Sequence, residues 1–304
     1  MRRVFIKLTQ KSCQNSSINS RILSKSKSST VNSPELEKFS VVGDEWWDEK
    51  SVMGTGPLHA MNPIRINFIR EKLSKQLDRY DKFDAINQIR GLKILDVGCG
   101  GGLAAEALAR LGAQVTAIDP SPENIHVARK HSSRDPLTST IDYRVNTIEE
   151  IVETNMKFDA VCALEVIEHV DNVELFLNSC SKVLKDDGSF FLSTINRTPI
   201  SYAVAIVAAE RILKLLPNNT HDYNKFLTPE EIRTKCSHTN IYIANICGMV
   251  FQPLKSLSLL NGSSLGINGI SSLSNNSDNW RMDEADTSVN YITHGVKHSK
   301  SQQY

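Results

Sequence analysis

Two carboxylates and an imidazole, Glu165, Glu168 and His169, follow closely on an apolar run. If the chain turns helical there, positions i, i+3 and i+4 share one face. Such a trio can hold a divalent cation, which in turn can bind two adjacent oxygens of an acceptor and lower their pKa. Magnesium is satisfied by the oxygens, whereas an imidazole ligand is more typical of zinc or iron. The competing reading is structural, with the Glu-His pair capping and orienting its loop. A second chemistry-bearing stretch is Ile94-Leu95-Asp96-Val97-Gly98-Cys99-Gly100-Gly101-Gly102, which reads as a buried strand breaking into a glycine-rich turn before a helix that starts at Leu103. Glycines at 98, 100 and 102 allow close approach of a ligand and torsions that a Cβ forbids, and the helix start offers unpaired N–H donors. A dinucleotide fingerprint wants glycines at positions one, three and six; position six here is Leu103. Downstream, the apolar run Val115–Ile118 ends in Asp119. That acid is placed to accept both ribose hydroxyls of a nucleoside, or to cap the helix opened by Ser121-Pro122-Glu123.

The elements that must position these groups follow from patterning. Lys93 to Val97, Val115 to Ile118 and Ile141 to Val145 read as strands, and Leu103 to Leu111 and Pro122 to Lys130 as helices. Phe158 to Leu164 is apolar except for Asp159, as expected of a central strand covered on both faces. Asn172 to Leu184 carries its apolar residues at a helical period. Lys185 to Gly188 turns the chain, Ser189 to Thr194 is a further strand, and Ser288 to Thr293 supplies a last strand at the sheet edge. Such alternation specifies a mainly parallel sheet with helices on both faces. Ligands of these sheets sit at the carboxyl ends of the strands, where Asp96, Asp119 and Leu164 all fall. Arg65 follows Asn62-Pro63, where a helix can start, and its guanidinium can clamp a carboxylate bidentately or form a surface ion pair. Leu164 packs either on a bound base or in the core. Trp46 and Trp47 either close over an apolar ligand or anchor the N-terminal segment.

With 304 residues, 40% of them hydrophobic, the chain can bury one good-sized core, and a net charge of +1 gives no reason to expect a nucleic-acid partner. Six scattered cysteines without a CxxC pair read as reduced thiols rather than a disulfide framework or zinc site. Residues 1–34 carry Arg2, Arg3, Lys7, Lys11, Arg21, Lys25 and Lys27, and the first acid is Glu35. A basic, serine-rich, acid-free leader has the make-up of a mitochondrial transit peptide, or of a disordered basic tail. It is set apart from a single domain at 35–304. Within 199–226, the apolar stretch from Pro199 to Leu216 is interrupted by Glu210, Arg211 and Lys214. It falls short of the about twenty apolar residues a spanning helix needs, and reads as a lid, a membrane-surface segment or a buried helix. Residues 256–284, rich in Ser, Asn and Gly, read as a flexible insertion.

Glycines at one, three and five, with an acid two residues earlier, resemble the first motif of class I S-adenosylmethionine (SAM)-dependent methyltransferases. That resemblance implies a Rossmann-like α/β fold with a mainly parallel seven-stranded sheet and helices on both faces. Trp46-Trp47-Asp48, Leu58-His59-Ala60-Met61-Asn62-Pro63-Ile64-Arg65, the glycine turn, Glu165-Val166-Ile167-Glu168-His169, Ser193-Thr194-Ile195-Asn196-Arg197 and Thr220-His221-Asp222 are similar, in that order, to the ubiquinone-biosynthesis O-methyltransferases. The likeness covers roughly residues 40–255 and returns at Val289-Asn290-Tyr291. It implies SAM as cofactor, contacted by Arg65, Gly98, Asp119 and Leu164, and magnesium at Glu165, Glu168 and His169. It implies O-methylation of a catechol-type polyprenylated ubiquinone precursor (3,4-dihydroxy-5-polyprenylbenzoate and 3-demethylubiquinol). It further implies peripheral attachment at the matrix side of the inner mitochondrial membrane and a place in a multi-subunit coenzyme Q biosynthetic complex. No general base is assigned; His169 and His221 are both candidates. Two other classes remain: an N- or C-methyltransferase on another small acceptor, and a non-catalytic cofactor-binding subunit.

Overall fold

The computed structural model describes residues 29–49, 55–78, 88–204, 222–252 and 277–299. The apolar runs form β1 (Lys93–Val97) and β4 (Phe158–Leu164), whose side chains are mostly buried because helices cover both faces. Between them come α3 (Leu103–Arg110), β2 (Gln114–Asp119), α4 (Pro122–Ser132), β3 (Asp142–Val145) and α5 (Ile148–Glu153). After β4 follow α6 (Val173–Val183), β5 (Leu184–Ile195), a short helical turn α7 (Pro199–Ser201), α8 (Pro229–Ser237), β6 (Ile241–Phe251), β7 (Trp280–Asp283) and β8 (Asn290–Lys297). Helix starts are fixed by side chains. Ser121 accepts from the Asn124 amide at 3.2 Å before Pro122, and Thr147 with Glu150, like Thr228 with Glu231, forms a reciprocal cap.

The strands make one sheet in the order β3-β2-β1-β4-β5-β8-β6-β7. The first five are parallel, and β8, β6 and β7 join antiparallel to their neighbours. The sheet therefore has eight strands among the described residues, one more than expected. Its last strand in sequence, β8, is not at an edge; it runs between β5 and β6. The polar side chains of β8 are paired inside. Thr293 Oγ1 donates to the Leu192 carbonyl at 3.3 Å, and His294 Nε2 lies 3.1 Å from Ser189 Oγ. The extra strand, β7, lies within the stretch read as a flexible insertion, where Trp280 and Met282 pack against the core beside α2 (Gly56–Gln76). The rest of that insertion up to 276 lies outside the described residues, as do 1–28 of the leader and 205–221 of the lid or membrane segment.

The helix α2 begins well before Pro63 and carries the proline inside it. Burial of Met61, Ile66, Phe68, Ile69 and Leu73 outweighs the lost backbone bond. It packs on one face of the sheet with Leu108, Ile125 and Phe191, while Phe176, Leu177, Phe190 and Ile232 fill the other. The boundary drawn at residue 34 falls inside ordered chain. Val31 bridges to Val170, Thr30 Oγ1 donates to Glu149 at 2.7 Å, and Asn32 caps α1 (Ser33–Ser40).

Candidate active site

The turn after β1 takes left-handed torsions at Gly98 (φ +68°), Gly100 (+52°) and Gly102 (+91°). The amides of Gly98 and Cys99 donate to the Ile118 carbonyl at 2.8 and 3.0 Å, tying β1 to the end of β2. Space enforces the same residue type: a Cβ at Gly100 would stand 2.4 Å from the Trp46 ring. Trp46 is buried, donates through Nε1 to Asn124 Oδ1 at 3.0 Å and lines the cavity. Trp47 anchors instead, donating to the Gly101 carbonyl at 3.0 Å and stacking on His131 with centroids 3.5 Å apart.

Asp119, at the end of β2, accepts from the Gly100 amide at 3.0 Å, the Ser121 amide at 2.9 Å and Asn124 Nδ2 at 3.2 Å. It is thus tied to the start of α4, while lining the cavity. Burial pushes its pKa up and these hydrogen bonds oppose the shift. Asp96 is more deeply perturbed. Burial raises it to about 7 despite the opposing charge of Arg65, and its Oδ2 has no partner.

Arg65 is buried, not a surface residue: it is 3% exposed. It donates through Nη2 to the Leu58 carbonyl (3.2 Å) and Asn62 Oδ1 (3.3 Å), and Nη1 lies 3.9 Å from Glu165 Oε1. Its Nε is unpaired, and burial lowers its pKa. A buried polar atom without a hydrogen-bond partner is costly. An orphaned guanidinium nitrogen and an orphaned carboxylate oxygen on one cavity fit a ligand carrying both a carboxylate and an ammonium, the two ends of a free amino acid such as the methionyl part of SAM.

The segment after β4 is not the regular helical face expected. Glu165 sits at φ +55°, its amide donating to the Ser193 carbonyl at 3.0 Å and its Oε1 accepting from Ser193 Oγ at 2.5 Å. A 3₁₀ turn, Ile167–His169, follows. Glu168 is buried with Oε2 unpaired, and burial together with the neighbouring Glu165 charge holds its pKa well above the usual carboxylate range. His169 turns Nδ1 to Glu35 Oε2 at 3.0 Å and presents its ring edge-on to Phe39. That hydrogen bond is the largest cause holding the Glu35 carboxyl down at about 2. Among the described residues no three His, Cys, Asp or Glu side chains gather closely enough to hold a metal ion. Of the three residues, Glu165 and Glu168 leave carboxylates on the cavity.

One cavity of about 700 Å³ joins these groups: Arg65, Gly98, Asp119, Leu164, Glu165, Glu168 and His169 all line it. Leu164 also packs against the core. His221 lies outside the described residues. Sequence reasoning missed three contributors. Asn146, Thr147 and Ile148 line the cavity from the end of β3; the strand-end position and the Thr147–Glu150 cap were a readable signal for them. Glu35, Leu36 and Phe39 come from α1, and Met249 to Phe251 with Trp280 from β6 and β7; no local pattern marks these.

The Methyltransferase domain family matches residues 95–192. The chain is 40% identical over 274 residues to a protein of Rattus norvegicus named ubiquinone biosynthesis O-methyltransferase, mitochondrial, covering 90% of this chain and 71% of the rat protein. It is also 40% identical over 268 residues to the ubiquinone biosynthesis O-methyltransferase of Dinoroseobacter shibae, covering 88% of this chain and 97% of the bacterial one. A crystal structure of magnesium protoporphyrin IX methyltransferase from Synechocystis PCC 6803 with bound SAH shares the fold. Its TM-score is 0.50 and its identity 15%, over 78% of this chain and 84% of that one.

Proposed function

The chain belongs to the ubiquinone biosynthesis O-methyltransferases, and from that membership we propose that it methylates a phenolic oxygen of a catechol-type polyprenylated ring (3,4-dihydroxy-5-polyprenylbenzoate and 3-demethylubiquinol), with SAM as donor. The observation that carries the reading is that one guanidinium nitrogen and one carboxylate oxygen, Arg65 Nε and Asp96 Oδ2, lack hydrogen-bond partners on the cavity that also holds Glu165 and Glu168.

When bound, SAM supplies a methyl group on a sulfonium centre. Arg65 takes the carboxylate end of its amino-acid part and Asp96 the ammonium end. The Gly98–Gly102 turn would allow its close approach, and Asp119 would accept from its ribose hydroxyls. Leu164 covers one face of the base. Because a phenolate anion meets a cationic donor, charge is neutralised as the transition state forms, so exclusion of water helps. Trp46, Leu58, Phe39 and Val166 supply that apolar enclosure. Holding the two reacting atoms in line contributes the other large share of the rate.

Glu165 and Glu168 are the residues that would hold a divalent cation; such an ion would supply the Lewis acidity that makes a phenolate available near neutral pH. The arrangement supports assigning His169 to the Glu35 contact rather than to the ion.

Location in mitochondria is supported by the basic, acid-free residues 1–34 and the mitochondrial names of several relatives; the matrix side of the inner membrane is part of the same proposal. Among the described residues no helix is long and apolar enough to cross a membrane. Ile200 and Tyr202 are exposed at 54% and 40%, which supports peripheral contact through these side chains at the start of the 199–226 stretch. Assembly into a multi-subunit coenzyme Q biosynthetic complex is part of the same proposal.

The test is methyl transfer from labelled SAM to a short-tailed dihydroxybenzoate, with and without chelator. Transfer to the catechol but not to its mono-methylated analogue is expected. Transfer only to amine or carbon acceptors would refute the O-methyltransferase reading, and a rate unmoved by chelator would remove the cation from it.

A further inference from the structure

The cavity changes character along the carboxyl rim of the sheet. Near β1, β2 and β4 it is lined by Asp96, Asp119, Glu165 and Arg65; beyond β5 it is lined by an apolar wall, Met249, Val250 and Phe251 of β6 and Trp280 of β7, with Asp286, Ser288 and Asn290 beside it. Register puts these residues on the rim. Asn290 pairs with both Ile195, the last residue of β5, and Met249, so the end of β6 stands beside the end of β5. Phe251 pairs with Trp280 across β6 and β7, their rings 5.3 Å apart and tilted by 44°. Met249 and Trp280 belong to the apolar cluster that includes Met61 of α2.

Two observations narrow what this wall can take. No lysine lines the cavity among the described residues, and its one arginine is Arg65 at the other end; nothing at the β6–β7 end is suited to an anion. A further apolar wall, Leu36 and Phe39 of α1, stands away from β6 and β7, with Phe39 edge-on to His169. There Ser40 Oγ donates to Ser121 Oγ at 3.0 Å, and Thr30 reaches Glu149.

We propose that Met249, Phe251 and Trp280 form the subsite for the part of the prenyl tail nearest the acceptor ring. The inference rests on the catechol reading above and adds where its tail goes. A ring held at Glu165 reaches this wall without leaving the cavity, because both line one continuous space. An isoprene unit is branched and uncharged, and gains by leaving water for thioether and aromatic surface. The eighth strand thereby acquires a function: it brings Trp280 to the rim.

The experiment compares kcat/KM for tail-less dihydroxybenzoate and for analogues bearing one and two prenyl units, in wild type, Phe251→Ala, Trp280→Ala and Trp280→Phe. In wild type the first unit is expected to raise kcat/KM about tenfold, the gain from burying several methylene-sized groups in part. The prenylated-to-tail-less ratio should fall toward unity in the two alanine variants and largely survive in Trp280→Phe. A purely structural role lowers both rates together and leaves the ratio intact, which overturns the assignment. A wild-type ratio indifferent to the tail overturns it too, while leaving the catechol reading in place. Absence of transfer to any catechol sinks that reading, and the subsite with it. Independently of how the variants fold, a prenyl analogue carrying a diazirine should label Met249–Phe251 or Trp280–Asp283 in the wild-type enzyme; labelling confined to other segments refutes the subsite.

Discussion

The five parallel strands and the three antiparallel ones share one sheet and one rim, yet they present opposite chemistry there. At the parallel end, backbone turns with φ above zero at Gly98, Gly100, Gly102 and Glu165 bring amides and carboxylates to the cavity, and Arg65 and Asp96 stay buried with orphaned atoms. At the antiparallel end, Met249, Phe251 and Trp280 offer an apolar wall, with Asp286, Ser288 and Asn290 beside it. Parallel strands must be joined by crossover helices, so each strand end is a loop entering a helix, rich in free N–H groups. Antiparallel strands return directly and leave side chains as the only recognition surface. A charged donor and an apolar acceptor tail are therefore served by two topologies of one sheet.

The sharpest test of that contrast substitutes one glycine in each half. Gly100→Ala forces a Cβ toward Trp46 at 2.4 Å, at φ +52°. Affinity for S-adenosylhomocysteine by calorimetry is expected to fall about a hundredfold or more, since both strain and lost close approach act on the cofactor turn. Near-normal affinity would remove the glycine turn from the cofactor site. In the other half, a Cβ at Gly248 would meet the Asp286 carbonyl at 1.6 Å. Gly248→Ala should cost about 2 kcal/mol in urea unfolding by overpacking, with cofactor affinity close to wild type; a matching loss of cofactor affinity would mean the halves are not separable.

The third comparison uses pH. His294 in β8 is pushed down to about 4 from 6.5 by burial, with Lys72 adding to the shift. The unfolded chain therefore takes up this proton near 6.5 and the folded chain only near 4. Its contribution is fully present above 6.5 and is lost as pH falls, at roughly 1.4 kcal/mol per pH unit across that window. Urea titrations at several pH values should show this slope, and His294→Phe should flatten it; an unchanged slope would assign the acid sensitivity elsewhere. The smallest effect lies in the parallel half. Asp96, raised to about 7 by burial, must ionise to hold the donor's ammonium group. Affinity for S-adenosylhomocysteine should climb as pH rises through about 7, by no more than about tenfold per unit. Asp96→Asn should bind weakly with no such slope, and a wild-type affinity flat across that range would break the assignment.

The parallel half was largely legible from sequence because its signals are local. Strand, glycine turn and helix cap are adjacent in the chain, so the β1 turn, Asp119 and the Ser121 cap stand where their spacing put them. Glu165 and Glu168 were legible as residues but not as a shape. A left-handed residue at 165 and a 3₁₀ turn depend on Ser193 of the neighbouring strand, and His169 is claimed by Glu35, far away in sequence. The antiparallel half was poorly legible. β8 was read as an edge strand, and Ser/Asn-rich surroundings hid β7, because the partners of these strands come from other strands and helices.

The amino-acid sequence by itself determined that a strand ends in a turn only glycine can make, with carboxylates at two neighbouring strand ends, since backbone torsions and caps are settled within a few residues. Only tertiary structure decided that Arg65 is buried beside Glu165, that an N-terminal helix closes over His169, and that an eighth strand sets an aromatic wall on the same rim. Those outcomes depend on which distant segments find burial together, and burial is a property of the folded whole.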